Sequence, residues 1–322
     1  MSVNYAVARP ELIYVNEQQD AAYLDTVLER LLDGDVRSGM TQLGIHLYDA
    51  YTSTGSSEWE SLVQNVLLKH PIRNTLIQDP HTARAIRQPR GYAGDAATLD
   101  LVYFPEKVDL SNTSALGKKI FGFNSQVSIA KALRKRISSI SSIIDQTASN
   151  IPNARVLSVA CGHCREVEYS QAIQSSALGA FIGIDQDTKS IGLAQSEYQQ
   201  YGIQTRHLNI SDLIKGKADL GEFDLIYSAG LYDYLGMRTA QRLTRELFSR
   251  LAKGGKLVFY NISNDYPEIG YFESYMNWPM LGRNQAQMRE VASKLPVSEL
   301  GSVDIEDEEK STYYYSIEIT KI

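Results

Sequence analysis

The spacing of apolar residues changes character near residue 150. From residue 18 to residue 70, apolar side chains recur every three or four positions, which predicts amphipathic helices. Pro71, Pro80 and Pro89 then interrupt the pattern, because a proline disfavours helical backbone in the residue before it. The helical pattern returns from about Ser125 to Ala148. We therefore predict a helical N-terminal domain over residues 1–150.

From Ala154 onwards, short apolar runs alternate with helical segments. This alternation predicts an α/β domain over residues 151–322, with a mostly parallel sheet and crossover helices. A helix from Thr239 to Leu251 is expected to end at the glycine pair Gly254 and Gly255. The acidic segment 306–309 is expected to be a solvated turn. The predicted strands are 156–160, 180–184, 205–208, 223–227, 256–260 and 312–320.

Composition narrows the class of protein. The chain has 322 residues, a formal net charge of -6 and 43% hydrophobic residues, which suits a globular enzyme and does not favour nucleic acid as a partner. No apolar run approaches the roughly 18 residues that a membrane-spanning helix needs. With only Cys161 and Cys164, no disulfide framework is expected. We expect a cytoplasmic protein with a small-molecule substrate, no membrane association, and a homodimer as the assembly to consider.

The turn after the first predicted strand, Ala160-Cys161-Gly162, admits several interpretations. A dinucleotide-binding turn needs further glycines, and Gly162 is the only one between Val156 and Gly179. The tetrapeptide from Cys161 to Cys164 matches a thiol-disulfide oxidoreductase motif, which keeps a redox function as an alternative. A zinc site would lack a fourth ligand, so no metal is expected.

The ends of the predicted strands favour S-adenosylmethionine as the cofactor. Gly162 would let the backbone approach the methionine part, and Asp185, followed by Gln186, would accept hydrogen bonds from the ribose hydroxyls. Asn209 would bind the edge of adenine and Ile210 would cover its face. The small residues Ser228, Ala229 and Gly230 would leave room for the sulfonium.

From about His70 to Ile322, the chain resembles class I SAM-dependent methyltransferases of the 3-hydroxypalmitic acid methyl ester biosynthesis group. The resemblance implies a Rossmann-like class I methyltransferase sheet with an N-terminal helical cap domain. The first 69 residues carry no part of it. The motifs that carry the resemblance are His70-Pro-Ile-Arg, Pro89-Arg-Gly-Tyr-Ala-Gly-Asp-Ala96, Ala160-Cys-Gly-x-x-Arg-Glu166, Asp185-Gln-Asp, Ser228-Ala-Gly-Leu-Tyr-Asp-Tyr-Leu235, and Met276-Asn-Trp278 with Arg283.

Two polar clusters are candidate catalytic groups. In the first, Arg90 would contact the cofactor, Tyr92 would offer a π face to the sulfonium, and Asp95 would align a substrate. The alternative is an interdomain turn in which Arg90 pairs with Asp95. In the second cluster, Tyr232 or Asp233 would accept a proton or hold an amine. The alternative is that these side chains pack beneath the next helix.

The positive sulfur of the cofactor makes its attached carbons electrophilic, so the enzyme mainly has to position a nucleophile and exclude water. We expect methyl transfer to a small acceptor in specialised metabolism. The alternative is cyclisation of the cofactor to azetidine-2-carboxylate with release of methylthioadenosine, as in methyltransferase-like cyclases that the chain also resembles. A third alternative is a binding module without turnover. The sequence leaves the choice open.

Overall fold

The computed structural model describes residues 17–307 and 313–322. Two compact units divide the chain. The helical unit comprises the residues up to Leu133 together with Asp265–Pro279, and the Rossmann unit comprises Arg134–Asn264 together with Met280–Ile322. The division therefore falls before residue 150, and a segment late in the chain returns to the helical unit.

Helices are distributed along the whole described chain. Within the described ranges, none of them is both long enough and apolar enough to cross a bilayer. In chain order they are α1 (Glu17–Leu32), α2 (Val36–Ser53), α3 (Ser56–Leu62), α4 (Ile72–Leu76), α5 (Pro80–Arg87), α6 (Ala96–Tyr103), α7 (Ala115–Asn124), α8 (Ser128–Asn150), α9 (Gln171–Gln174), α10 (Thr188–Tyr198), α11 (Ile210–Ile214), α12 (Met237–Ser249), α13 (Ile269–Ser274) and α14 (Gln285–Ala292).

Over the described residues, the strands form one seven-stranded sheet in the order β3-β2-β1-β4-β5-β7-β6. The strands up to β5 pair in parallel, and β7 is antiparallel to both β5 and β6. The predicted Rossmann-like α/β class is thereby confirmed. The strands are β1 (Arg155–Val159), β2 (Ala180–Asp185), β3 (Ile203–His207), β4 (Phe223–Ser228), β5 (Leu251–Ile262), β6 (Leu300–Asp307) and β7 (Tyr314–Lys321).

The helical unit holds its late segment through close packing and polar contacts. On α13, Gly270 approaches α2 so closely that a Cβ there would lie 2.5 Å from the carbonyl oxygen of Leu47. The Tyr48 hydroxyl donates to Asp265 Oδ1 over 2.6 Å. The Trp59 indole N–H donates to Glu273 Oε2 over 3.1 Å. These contacts explain why a segment after β5 belongs to the helical unit.

The Rossmann unit is built on strands that the sequence identifies by their apolar runs. Buried residues of β1, β4 and β5 form a core with apolar residues of α12 and α14, including Leu157, Ile226, Leu257, Leu243 and Val291. Burial on both faces explains why these strands read as continuous apolar segments, since parallel sheets are covered by helices on both sides.

Some sequence predictions for this unit are wrong in detail. Helix α12 ends at Ser249, and the glycine pair lies inside β5, where Gly254 has a φ of +77°. The glycines thus lie where the pairing between β4 and β5 is irregular, and they do not end a helix. Strand β6 was not predicted, and its end overlaps the acidic segment expected to be a turn. Residues 308–312, which include part of that segment and the start of the predicted last strand, lie outside the described residues.

Candidate functional site

The turn after β1 has a tightly constrained backbone. Ala160, Gly162 and Cys164 all have left-handed backbone, with φ between 52° and 55°. Only glycine adopts this conformation without a steric cost, so the turn stores strain at two of its positions. The Cys161 amide donates to the Ile184 carbonyl over 3.0 Å, which fixes the turn against the end of β2.

Asp185 lies at the end of β2, directly beside this turn. Its Oδ2 accepts a hydrogen bond of 2.8 Å from the Gly162 amide, and its Oδ1 accepts one of 2.8 Å from the Asp187 amide. Burial raises the pKa of the Asp185 carboxyl, and the amide hydrogen bonds oppose that rise. Each oxygen keeps a further lone pair, so the carboxylate can also accept hydroxyl groups. Gln186 follows with an exposed side chain.

The ends of the parallel strands lie at one edge of the sheet, because neighbouring strands run in register. Ala160 follows β1, Asp185 ends β2 and Ser228 ends β4. In open α/β sheets, ligands bind outside the carboxyl ends of the strands, which is this edge. The structure thus brings Ala160, Asp185 and Ser228 of the predicted cofactor residues to a common edge of the sheet.

Asn209 and Ile210 follow β3 at the start of α11. The Asn209 Oδ1 accepts a hydrogen bond of 2.9 Å from the Asp212 amide, and its Nδ2 donates to Asp212 Oδ2 over 3.0 Å. Asn209 is therefore the N-cap of α11, which commits its oxygen locally. Ile210 packs partly buried against the apolar core. Contact of this pair with adenine stays a prediction.

Ser228, Ala229 and Gly230 follow the course of β4 towards the same edge. Ser228 is fully buried, and its hydroxyl donates to the Val159 carbonyl over 2.9 Å, which ties β4 to β1. Ala229 and Gly230 are half-buried. A Cβ at Gly230 would lie 3.7 Å from a guanidinium nitrogen of Arg136, so the small residue leaves space beside a buried cation.

Beneath the turn lies a buried polar group whose function was not identified from the sequence. Glu166 Oε1 accepts a short hydrogen bond from the Tyr227 hydroxyl and one of 3.4 Å from Ser158 Oγ. Burial raises the pKa of the Glu166 carboxyl, and burial together with the nearby carboxylate raises that of Tyr227 well above its ordinary value. In the sequence, this buried polar group is indicated by a serine and a tyrosine that occur inside largely apolar strands. This group links β1, β4 and the segment after the turn.

Tyr232 packs beneath the next helix, as the alternative interpretation of this cluster predicts. It is fully buried and stacks on Phe259 with ring centroids 3.8 Å apart. Its hydroxyl shares a hydrogen bond of 3.0 Å with Thr244 on α12. The side chain therefore belongs to the core beneath α12, and this geometry favours a structural function over the predicted catalytic one.

Asp233 is a buried carboxyl near the ends of β4 and β5. Its side chain is 3% exposed, and Oδ1 accepts a hydrogen bond of 2.6 Å from the Ile262 amide. Burial raises the pKa of Asp233 to about 7, against the attraction of Arg136 and Arg283. A carboxyl with this pKa exchanges protons near neutral pH, which suits a general base.

Arg283 holds the backbone around Asp233. Its guanidinium donates to the Tyr232 carbonyl over 2.8 Å, and it also donates to Asn261 Oδ1 and to the Leu235 carbonyl. Arg283 is thus a structural clamp between the loop after β4 and the end of β5. No local pattern in the sequence could reveal these contacts, because the partners lie between 22 and 51 positions away.

The remaining predicted site residues, Arg90, Tyr92 and Asp95, lie in the helical unit. Arg90 and Tyr92 are half-buried in the segment that precedes α6. Asp95 is fully buried, is the N-cap of α6, and pairs with Arg84 through two contacts of 2.8 and 2.9 Å. The alternative interpretation of this segment had Arg90 as the partner of Asp95, and the structure shows Arg84 in contact with both Asp95 oxygens. Asp95 accepts from two backbone amides as well, so its oxygens are committed within the unit.

The two cysteines have an environment that opposes redox chemistry. Cys164 is fully buried, and its hydrogen bond with Cys161 and burial raise the pKa of its thiol well above the ordinary value. A thiolate is the reactive form of cysteine, and such a pKa keeps this thiol protonated. The geometry therefore disfavours Cys164 as a redox nucleophile.

Comparison with known proteins identifies a segment that is similar to a methyltransferase domain. Residues 157–259 match the family model described as a methyltransferase domain. The match spans β1 to β5, and with the sheet order it defines a class I methyltransferase fold. Residues 157–259 are therefore similar to a methyltransferase domain, within a Rossmann-like α/β fold. No curated protein matches the chain.

Several solved structures are similar to this chain over different lengths. A protein from Bordetella parapertussis, described as a possible exported protein, is 16% identical with a TM-score of 0.57, over 98% of this chain and 99% of that one. An S-adenosylmethionine-dependent methyltransferase from Clostridium acetobutylicum is 13% identical with a TM-score of 0.46, over 70% and 96%. The N-methyltransferase NodS from Bradyrhizobium japonicum, in complex with S-adenosyl-L-homocysteine, is 15% identical with a TM-score of 0.42, over 58% and 87%.

Proposed function

We propose that this protein transfers a methyl group from S-adenosylmethionine to a small acceptor in specialised metabolism. The observation that carries the proposal is the buried carboxylate of Asp185, which ends β2 beside the glycine turn at Gly162. The matched methyltransferase domain gives this arrangement its chemical context. A cytoplasmic location and a small-molecule partner belong to the same proposal.

The residues at the edge of the sheet fit the cofactor. Asp185 offers free lone pairs for two ribose hydroxyls, and the left-handed Gly162 exposes backbone to an amino-acid tail. Ala229 and Gly230 leave space at the end of β4. When bound, the cofactor supplies an electrophilic methyl group. The task of the chain is then to hold the acceptor in line and to exclude water.

Asp233 is the residue we propose as the proton acceptor in the Rossmann unit. An alcohol or ammonium acceptor must lose a proton in order to become a methylated product, and a carboxylate within reach removes it. Asp233 combines a pKa of about 7 with a position after β4. Catalytic functions for Tyr92 and Asp95 stay predictions, and the packing of Tyr232 beneath α12 favours a structural function for that residue.

The reaction is tested by product analysis with purified protein. S-adenosylhomocysteine formed only when an acceptor is added supports methyl transfer. Methylthioadenosine and azetidine-2-carboxylate formed from the cofactor alone would replace the proposal by cyclisation. Cofactor binding without any turnover would identify a binding module instead.

The cofactor site is tested by calorimetry on Asp185→Asn. This variant keeps the side-chain shape but loses the negative charge that strengthens hydroxyl hydrogen bonds, so we expect binding to weaken by about 1.5 to 3 kcal/mol. Asp219→Asn is the matched control, because Asp219 is exposed in the same unit. Equal affinities of both variants and the original protein would overturn the assigned site.

A further inference from the structure

The helical unit contains a pocket of its own. Its cavity volume is about 30 Å³. We call it the helical pocket. Its lining is apolar and aromatic, with two ionisable side chains: Met40, Gly44, His81, Val102, Phe123, Asn124, Val127, Ile129, Ala130, Leu133, Glu268, Tyr271, Phe272, Met276 and Trp278.

Two buried polar atoms of this lining lack a partner among the described residues. They are Oε2 of Glu268 and Nε2 of His81, on side chains that are 6% and 7% exposed. The other carboxylate oxygen of Glu268 accepts a hydrogen bond of 3.0 Å from the Ser128 amide at the start of α8. Buried polar atoms are almost always paired, so two orphans in one pocket indicate a missing partner.

The charges in the pocket indicate what that partner is. Burial raises the pKa of Glu268 to about 7, so its carboxylate predominates at pH 8. Burial lowers the pKa of His81, which leaves a neutral imidazole that can accept a hydrogen bond. Burial also raises the pKa of Tyr271, so its phenol stays uncharged, and its hydroxyl contacts Thr82 over 2.9 Å. The pocket thus holds one negative charge among apolar walls.

We propose that the helical pocket binds a small apolar ammonium compound, with its N–H groups donating to Glu268 Oε2 and His81 Nε2. The hydrocarbon part would lie against the aromatic walls, where Trp278 and Phe272 have ring centroids 5.1 Å apart. The attraction of a cation offsets the free-energy cost of desolvating a buried carboxylate better than contact with a neutral ligand does. Met40 and Met276 have flexible side chains that adapt to a ligand larger than the open space. This site is independent of the proposed methyl transfer.

Tryptophan fluorescence provides a direct measurement. The chain has two tryptophans, Trp59 and Trp278, and only Trp278 lines the pocket. In a Trp59→Phe background, Trp278 becomes the single reporter. We titrate n-butylamine, butan-1-ol and butyrate at pH 8. We expect n-butylamine to bind about tenfold or more tightly than butan-1-ol, and butyrate to show no saturable signal.

Matched variants locate the binding. Glu268→Gln keeps an acceptor for the Ser128 amide but removes the charge, and we expect the Kd for n-butylamine to rise about tenfold or more. Glu60→Gln on α3 is the control, because Glu60 is exposed in the same unit and does not line the pocket. Ala130→Met fills the pocket from α8 and is expected to abolish binding.

Several results would overturn the proposal. They are equal binding of amine and alcohol, an unchanged Kd in Glu268→Gln, or no binding of any probe, in which case an ordered water alone would pair the two orphan atoms. Circular dichroism of each variant at the titration temperature shows whether it is folded. Because none of these readouts uses S-adenosylmethionine, failure here is distinguishable from failure of the proposed function.

Discussion

The missing side chain of Gly183 makes room for the thiol of Cys161. A Cβ at position 183 in β2 would lie 2.9 Å from Cys161 Sγ, and 3.2 Å from Cys164 Sγ. Both sulfurs thus pack against the strand that ends in Asp185. The pair of cysteines and the glycine form one packing unit behind the glycine turn.

This packing predicts the effect of Gly183→Ala. The added methyl would overpack a buried site that leaves no space, so we expect a loss of about 1 to 3 kcal/mol in the free energy of unfolding. Both tryptophans lie in the helical unit, so circular dichroism is the suitable probe of urea denaturation. Cys161→Ala in the same chain should restore part of the loss.

Gly192→Ala is the control for that experiment. A Cβ there meets nothing within 4 Å, and the residue lies inside α10. The substitution should raise stability by about 0.4 to 1 kcal/mol, because alanine restricts the unfolded chain. If both variants behaved alike, the packing explanation for Gly183 would fail.

Tyr232→Phe separates a structural function from a catalytic one. The phenyl ring keeps its stacking on Phe259, while the hydrogen bond to Thr244 is lost. We expect a loss of about 1 kcal/mol in stability and a kcat within about twofold of the original. Stopped-assay kinetics and urea denaturation measure the two effects. A large drop in kcat in a folded variant would restore the predicted catalytic function of the hydroxyl.

The sequence predicted the sheet well because its strands are buried on both faces. Continuous apolar runs located β1, β2, β4 and the latter part of β5, and the acid at the end of β2 marked the edge of the sheet where we propose that the cofactor binds. The predicted turn at Gly162 and the carboxylate of Asp185 are in contact, as the cofactor interpretation requires.

Long-range partners are where sequence reasoning failed. Asp95 pairs with Arg84 across a helix end and a turn, and no spacing rule in the sequence indicates this contact. Residues 265–279 pack with α2 because Gly270 fits against Leu47, a contact between positions far apart in sequence. The glycine pair inside β5 has the sequence of a helix stop, yet its function depends on the partner strand.

Asp233 predicts a pH dependence of stability. Its pKa of about 7 in the folded protein lies above the ordinary value of 3.8, so the folded chain holds a proton that the unfolded chain has released. The stabilising contribution is complete below about pH 4 and is lost as the pH rises to about 7. The Arg136 and Arg283 guanidinium groups near Asp233 keep their charge over this range.

Asp233→Asn should remove this dependence. We expect its urea denaturation midpoint to fall less than that of the original protein between pH 4.5 and 7.5. Asp219→Asn, an exposed control in the same unit, should follow the original protein. Parallel curves for Asp233→Asn and the original protein would show that Asp233 is ionised throughout.

The cysteine pair allows a decision between a redox site and a packed turn. Because burial and the contact with Cys161 raise the pKa of the Cys164 thiol, this thiol should not react with Ellman's reagent at pH 7.5 in the folded protein. Both cysteines should react after denaturation in guanidinium.

The folded variant Cys161→Ala with Cys164→Ala should retain turnover of S-adenosylmethionine within about tenfold, since the sulfurs only fill space behind Gly183. A rapid reaction of Cys164 in the folded protein, or complete loss of turnover in the folded double variant, would instead assign the sulfurs a chemical function.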